Sequence, residues 1–305
     1  MVQAQNTKKI RIETPEQGLE ILNKSGLEIS VDGFGAWSHS KLSTLRKCPL
    51  KFYLQYILKV KRDAEASPMI THVGKASHRI IEIALDGATV PEAFIAARRE
   101  FKDVITSEHW EEHVALVEYN ISAFMERVEN FKRSEGVTRI LQELRIGCTK
   151  DWKPTGFFAN DVYFRGVVDL VLQLKNGDIV IIDHKYGTVA AMGLRNFQDQ
   201  LDSYKVMFHK GVYPIRGATS GIHHIKEGEI VLGNHSSRED IEDTLLPKLE
   251  FFIDGAVDGL KEIGYFKHIA GSACKYCEYR EECKAKKLLA VEMDSKKWFQ
   301  LKKID

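Results

Sequence analysis

Apolar positions along this chain follow two periods. From Trp37 to about residue 133 they recur every three or four residues, and from residue 139 they alternate or run together. The stretch WSHSKLSTLRKCPLKFYLQYILKV, beginning at Trp37, predicts a helix opened by Ser38 or Ser40. It is interrupted at Cys48-Pro49 and resumes with Pro49 in the first turn, where a missing N–H costs nothing. Further helices are predicted over 74–87, 91–105 and about 108–133. RILQELRIGCT (139–149) then predicts a half-buried strand, with Ile140, Leu144, Ile146 and Cys148 on one face and Glu143 and Arg145 on the other. DVYFRGVVDLVLQLKNGDIVIIDHKYG reads as two strands joined at Asn176-Gly177, a hairpin signal. A helix over about Asn196–Lys210 puts Gln200 and Tyr204 one turn apart on one face. A strand over 215–225, a short strand at EIVLG and a helix over about 238–263 follow. Residues 1–36 carry one short helical candidate, Pro15–Asn23. Helices, then sheet, then a crossing helix and more sheet make an α/β core with a helical flank.

Charge changes this picture little. A net charge of +1 gives no global argument for binding a polyanion, so any nucleic-acid surface must come from local clustering. One cluster surrounds Cys48: Lys41, Arg46, Lys47, Lys51, Lys59, Lys61 and Arg62, interleaved with Phe52, Tyr53 and Tyr56. It suits single-stranded nucleic acid, and it equally describes a solvated helix surface over packed aromatics. The longest apolar runs are far too short to span a bilayer, and the N-terminus lacks the apolar core of a signal peptide. A cytoplasmic protein without membrane contact is therefore expected. No Gly-x4-Gly-Lys-Ser/Thr loop occurs, so this chain is expected to carry no helicase motor.

The candidate chemistry lies in GVVDLV and VIIDHKYG. Asp183 and Lys185, two residues apart on a strand, project from the same face about 7 Å apart. Asp169 sits on the other strand of the hairpin, where pairing can bring it to the same end. Two carboxylates and a lysine converging at a sheet edge can hold a hard divalent cation and act on water, the chemistry of phosphodiester hydrolysis. Asp-x-Lys alone also describes a solvated strand end. A second candidate is SACKYCEYREEC (272–283), which holds Cys274, Cys277 and Cys283. A closed metal site needs a fourth ligand, and thiolate-only coordination is compatible with zinc or iron–sulfur. Cys148, alternating with apolar strand residues, reads as a buried small hydrophobe.

These pieces occur in a recognisable order: Cys48-Pro49, Gly74-x3-His78, Gly166-x2-Asp169, Asp183-x-Lys185, Gln200-x3-Tyr204, then Cys274-x2-Cys277-x5-Cys283. The ordered set, over about residues 37–290, resembles the iron–sulfur branch of the PD-(D/E)XK nucleases, which includes the AddB nuclease domain and the stand-alone CRISPR-associated RecB-like exonucleases. The resemblance implies a restriction-endonuclease-like core sheet flanked by helices, with an N-terminal helical region and a C-terminal iron–sulfur segment closing onto it. It implies a nuclease domain over 37–290 with a helical insertion at about 88–135, between a peripheral segment (1–36) and a tail (291–305). It also implies that Asp169, Asp183, His78 and the backbone carbonyl of His184 hold Mg2+ or Mn2+, and that Lys185 acts on the water. Glu143 is a candidate extra acid, and Gln200 and Tyr204 contact DNA or steady the lysine. Cys48, Cys274, Cys277 and Cys283 would hold a [4Fe-4S] cluster, with structural zinc as the alternative. The sequence DHKYG departs from relatives that often carry an aromatic before the lysine and threonine after it.

The expected function is a metal-dependent DNA exonuclease acting on ends or single strands, in recombination, repair or spacer processing, with a separate helicase or recombination partner. The alternatives are a structure-specific endonuclease of the same superfamily and a catalytically idle module that binds DNA or a partner. His78, Asp169, Asp183 and Lys185 are all present, which argues against the idle form.

Overall fold

The computed structural model describes residues 35–57, 59, 69–188, 193–263 and, towards the C-terminus, 269, 274, 277–279 and 283. The helix expected at Pro15–Asn23 and the tail 291–305 lie outside the described residues. The chain forms two compact units, one from 36–42 and 63–255, the other from 43–62 with the residues from 256 onward and those before 36.

The larger unit is built on one mixed sheet flanked by helices. Its strands are β1 (Val137–Cys148), β2 (Pro154–Thr155), β3 (Phe164–Leu174), β4 (Asp178–Lys185), β5 (Gly217–His224), β6 (Glu229–Leu232) and β7 (Ser236–Ser237). They run in the order β2-β1-β3-β4-β5-β6, with β7 also on β5. The hairpin between β3 and β4 turns at Gly177, whose φ of 89° is open to glycine at little cost, and Asn176 Oδ1 accepts the Asp178 N–H to close the turn. From β4 the chain crosses through helix Gln198–Gly211 and returns as β5, parallel to β4 from Asp178↔Gly217 to Lys185↔His224. Parallel strands end together, so Asp183, Lys185 and His223 reach one edge of the sheet.

In chain order the principal helices are α1 (His39–Lys47), α2 (Pro49–Phe52), α3 (Met69–Leu85), α4 (Val90–Phe101), α5 (Glu118–Glu135), α6 (Gln198–Gly211) and α7 (Leu246–Ile263). α1 stops where expected because Cys48 precedes a proline and must be extended, with φ −160°. Cys48 Sγ then caps α2, accepting the Lys51 N–H at 3.5 Å. α4 opens on a capping box between Thr89 and Glu92. The single helix expected over about 108–133 is instead a turn at Ser107–His109, a π turn, a 3-10 turn and then α5. α5 ends at Gly136, left-handed at φ 65°.

One face of α3 (Val73, Ala76, Ile80, Ile81, Ala84) packs with Phe94, Trp110, Ile121 and Phe124 onto Leu170, Leu172, Val180 and Ile182 of the sheet. Removing these apolar side chains from water is the main source of stability, at about 25 cal/mol per Å2. β1 departs from the expected alternation. Ile140 packs against this helical core, whereas Ile146 and Cys148 lie against Gly211 at the end of α6. Both isoleucines have the same parity, so a regular pleat would place them together. Between them Glu143 adopts φ 45°, which turns the strand over. Among the described residues, no helix is long and apolar enough to cross a membrane.

Candidate active site

The strand registers place three carboxylates in one row. Gln142↔Leu170 and Leu144↔Val168 bracket Glu143 opposite Asp169. The β3–β4 ladder ends at Leu170↔Ile182, so the next residues across are Asp169 and Asp183. Glu143, Asp169 and Asp183 thus stand side by side on β1, β3 and β4. Like charges directly opposite one another are unfavourable, and each carboxylate answers this differently.

Asp169 Oδ2 accepts the backbone N–H of His184 at 2.8 Å and lies 3.7 Å from His78 Nδ1. Burial nonetheless pushes its carboxyl above the usual range. Asp183 is 1% exposed. Its Oδ1 accepts from Gln200 Nε2 at 3.0 Å, and its Oδ2 pairs with Lys185 Nζ at 2.5 Å. Burial pushes its carboxyl up to about 6, against the pull of Lys185. Glu143 is the exposed member, pushed up to about 7 by desolvation of its inner side and by Asp169.

α3 supplies the opposite wall. Gly74, His78 and Glu82 recur at intervals of four and line a cleft of about 620 Å3 with Glu143, Lys185 and Tyr186, while the helix's other face is in the core. A Cβ at Gly74 would meet Tyr186 Cβ at an ordinary 3.5 Å, so space alone does not demand glycine there. Burial and Lys185 lower the basicity of His78, which favours the neutral ring that can act as a ligand. The ligand atoms of His78, Glu143 and Asp169 lie within 4.8 Å of one another. This oxygen-rich set, with the Asp183–Lys185 pair beside it, fits a hard divalent cation.

The structure therefore brings His78, Glu143, Asp169, Asp183, Lys185 and the His184 backbone together. Glu143 joins His78 and Asp169 in the tightest group, while Asp183 turns to Lys185 and Gln200. Gln200 Nε2 also reaches the Tyr204 hydroxyl at 2.6 Å. Tyr186 is tied down at the cleft: its hydroxyl donates to the His113 carbonyl at 3.0 Å. Two residues escaped the sequence reading. Glu82 lies one turn beyond His78 and raises both Asp169 and Glu143, a signal present in the i, i+4 spacing. His223 holds the His184 ring, Nδ1 to Nδ1 at 3.0 Å, and stacks on Phe124 at 4.0 Å; only the parallel β4–β5 register reveals it.

In the smaller unit Lys51 Nζ pairs with Glu278 Oε2 at 2.8 Å across 227 residues of chain. Cys277 senses the charge of Cys48, and burial pushes its thiol up. The Cys277 N–H bonds the Cys274 carbonyl, and Cys283 is buried. Among the described residues the four sulfurs do not form a group as tight as His78, Glu143 and Asp169. Cys148 is fully buried, its thiol pushed up to about 12.

A family model described as the PD-(D/E)XK nuclease superfamily matches residues 36–284. No curated protein matches the chain. Among solved structures, SSO0001 is similar at 12% identity and TM-score 0.38, over 89% of this chain and 97% of that one. A candidate exonuclease from Eubacterium rectale is similar at 9% identity and TM-score 0.40, over 81% of this chain and 98% of that one.

Proposed function

The chain belongs to the PD-(D/E)XK nuclease superfamily, and from that premise we propose that it is a metal-dependent DNA exonuclease whose hydrolytic centre is Asp169, Asp183 and Lys185. The observation that carries this reading is the row of three carboxylates with a lysine against its buried member. Asp169, Asp183, His78, Glu143 and the His184 carbonyl would hold Mg2+ or Mn2+. The cation, when bound, supplies positive charge against the phosphate oxygens and makes a water more acidic. Lys185, against Asp183 at the end of β4, would orient the attacking water and offset charge on the phosphate. Gln200 keeps Asp183 aimed, and Tyr204 keeps Gln200 aimed. His184 fixes Asp169 through its N–H.

The reading extends to the iron–sulfur branch of the superfamily. Cys48, Cys274, Cys277 and Cys283 would hold a [4Fe-4S] cluster. It is supported by the Lys51–Glu278 pair and the influence of Cys48 on Cys277, which bring segments from the two ends of the chain together. The nuclease domain would then span 37–290, in the cytoplasm, with a separate helicase or recombination partner.

The test is digestion of end-labelled single-stranded, duplex and circular DNA with Mg2+ or Mn2+, using Lys185→Ala as control. Release of mononucleotides or short products from linear DNA, with circles intact, is expected. Cleavage of circles at the same rate would favour an endonuclease, and no metal-dependent cleavage of any substrate would overturn the reading.

A further inference from the structure

The loop between β1 and β3 carries an aromatic pair that the proposed chemistry leaves unused. Phe158 is 74% exposed, a large apolar surface to leave in water, and Phe157 beside it is half-buried. Their rings meet edge to face with centroids 4.9 Å apart. The pair is braced from below. Arg165 Cζ lies 5.0 Å from the Phe157 centroid and 5.6 Å from that of Phe158, and its Nη1 donates to the Phe157 carbonyl at 3.0 Å. Arg145 Cζ lies 6.0 Å from Phe157. Among the described residues no carboxylate lies within ion-pair distance of either guanidinium, and Arg145 acts on Glu143 only at longer range.

The position of this pair gives it meaning. Arg145 follows Glu143 by two residues on β1, about 7 Å, and Arg165 precedes Asp169 by four on β3, about 13 Å. Phe157 and Arg165 line a hollow of about 280 Å3 with Tyr204, the residue whose hydroxyl meets Gln200 beside Asp183. An exposed phenyl ring braced edge to face by a second ring, with two guanidiniums on its flank and a link to the carboxylate row through Tyr204 and Gln200, has the chemistry of a base-stacking site with phosphate contacts beside it. A duplex keeps its bases stacked inside along its length, so an unpaired base is the one that offers such a site a free face.

We propose that Phe157 and Phe158, braced by Arg145 and Arg165, stack an unpaired base of the substrate next to the scissile phosphate, so that the enzyme engages single-stranded or frayed ends. This deepens the nuclease reading and rests on it. The test measures binding by fluorescence anisotropy in EDTA at fixed salt, for the full chain and for Phe158→Ala and Phe158→Trp. The probes are an oligothymidylate of about ten nucleotides, which matches the site size of single-strand grooves, the same backbone without bases, and a blunt hairpin duplex. Phe158 is exposed, so its replacement leaves the fold intact. Phe158→Ala is expected to weaken oligothymidylate binding about tenfold or more and to leave the abasic strand and the duplex unchanged. Phe158→Trp should retain tight binding. Oligothymidylate binding unchanged in Phe158→Ala, or an equal loss on all three probes, would overturn the platform while leaving the nuclease reading standing. A wild-type chain that binds none of the probes would overturn both.

Discussion

Replacing Asp183 with asparagine should inactivate the protein and, without metal, make it more stable. The carboxyl rises from its ordinary 3.8 to about 6 on folding, chiefly through burial. At about 1.4 kcal/mol for each tenfold change in proton affinity, that is a penalty of about 3 kcal/mol for keeping Asp183 ionised. The sign follows from linkage: between these two values the folded state holds the proton more tightly than the unfolded state. Stability therefore falls as pH rises through that window, and the full penalty applies above it. Asparagine has the same shape and no charge to desolvate, and its Oδ1 can still accept from Gln200. That net shift already contains the attraction of Lys185, whose side chain is 22% exposed and lies 5.2 Å from the Phe197 ring, so it keeps some solvation when its partner is neutral. A gain of up to about 3 kcal/mol follows, roughly 6–12 °C in Tm for a domain of this size.

Differential scanning calorimetry or denaturant titration in EDTA, at about pH 7.5 and again near pH 4, measures this difference. The gain should be present at the higher pH and largely gone at the lower, where wild-type Asp183 is itself protonated. Adding Mn2+ at about a hundred times its Kd should stabilise wild type by about 2.7 kcal/mol and the variant far less. An Asp183→Asn protein less stable than wild type in EDTA at about pH 7.5 would refute the reasoning, because it would mean the carboxylate is held by its neighbours rather than strained by burial.

Lys185→Ala should lower hydrolysis by roughly a thousandfold or more while DNA binding persists, since several kcal/mol of transition-state stabilisation is at stake; activity within about tenfold of wild type would remove Lys185 from the reaction. Mn2+ affinity, read by titration calorimetry, should rise with pH as Asp183 and Glu143, at about 6 and about 7, lose protons that compete with the cation, and Glu143→Gln should flatten the upper part of that rise. An affinity flat across this range would contradict the proton competition. Anaerobically purified wild type should be brown and contain iron, and Cys48→Ala and Cys277→Ala should both lose colour and stability. Cys148→Ser should keep the iron; a fully loaded Cys48→Ala protein would exclude Cys48, and stoichiometric zinc in colourless wild type would point to zinc.

The sheet was legible because its signals are local: Asn176-Gly177 turns a hairpin wherever it stands, and the apolar runs of β3 and β4 suit strands buried on both faces. The break at Cys48-Pro49 was legible for the same reason, since proline restricts the residue before it in any context. The reversal in β1 was not. Nothing in QEL marks Glu143 for a left-handed conformation, which costs a non-glycine residue of order 1 kcal/mol or more. Alternation counted along β1 therefore carried Ile140 and Ile146 to one face. The turns preceding α5 were missed because the apolar pattern keeps its helical period through them while the hydrogen bonding changes.

Glu143 also shows why the candidate site was legible in part. Asp169 and Asp183 could be placed together from the hairpin alone, but their relation to Glu143 depends on the long pairing of β1 with β3, which no short motif encodes. Once that register is set, three carboxylates share a row that hydrogen bonding does not fully quiet: Asp169 takes the His184 N–H, Asp183 takes Gln200 and Lys185, and Glu143 is left to hold a proton near neutrality. The left-handed turn at Glu143 lies in that same row, where the β3–β4 ladder also stops. Backbone strain, a lost ladder rung and raised carboxyl pKa values thus coincide at one level of the sheet. A divalent cation would relieve the charge repulsion among these groups, so the features that strain this level of the metal-free sheet are the ones that suit it to a metal.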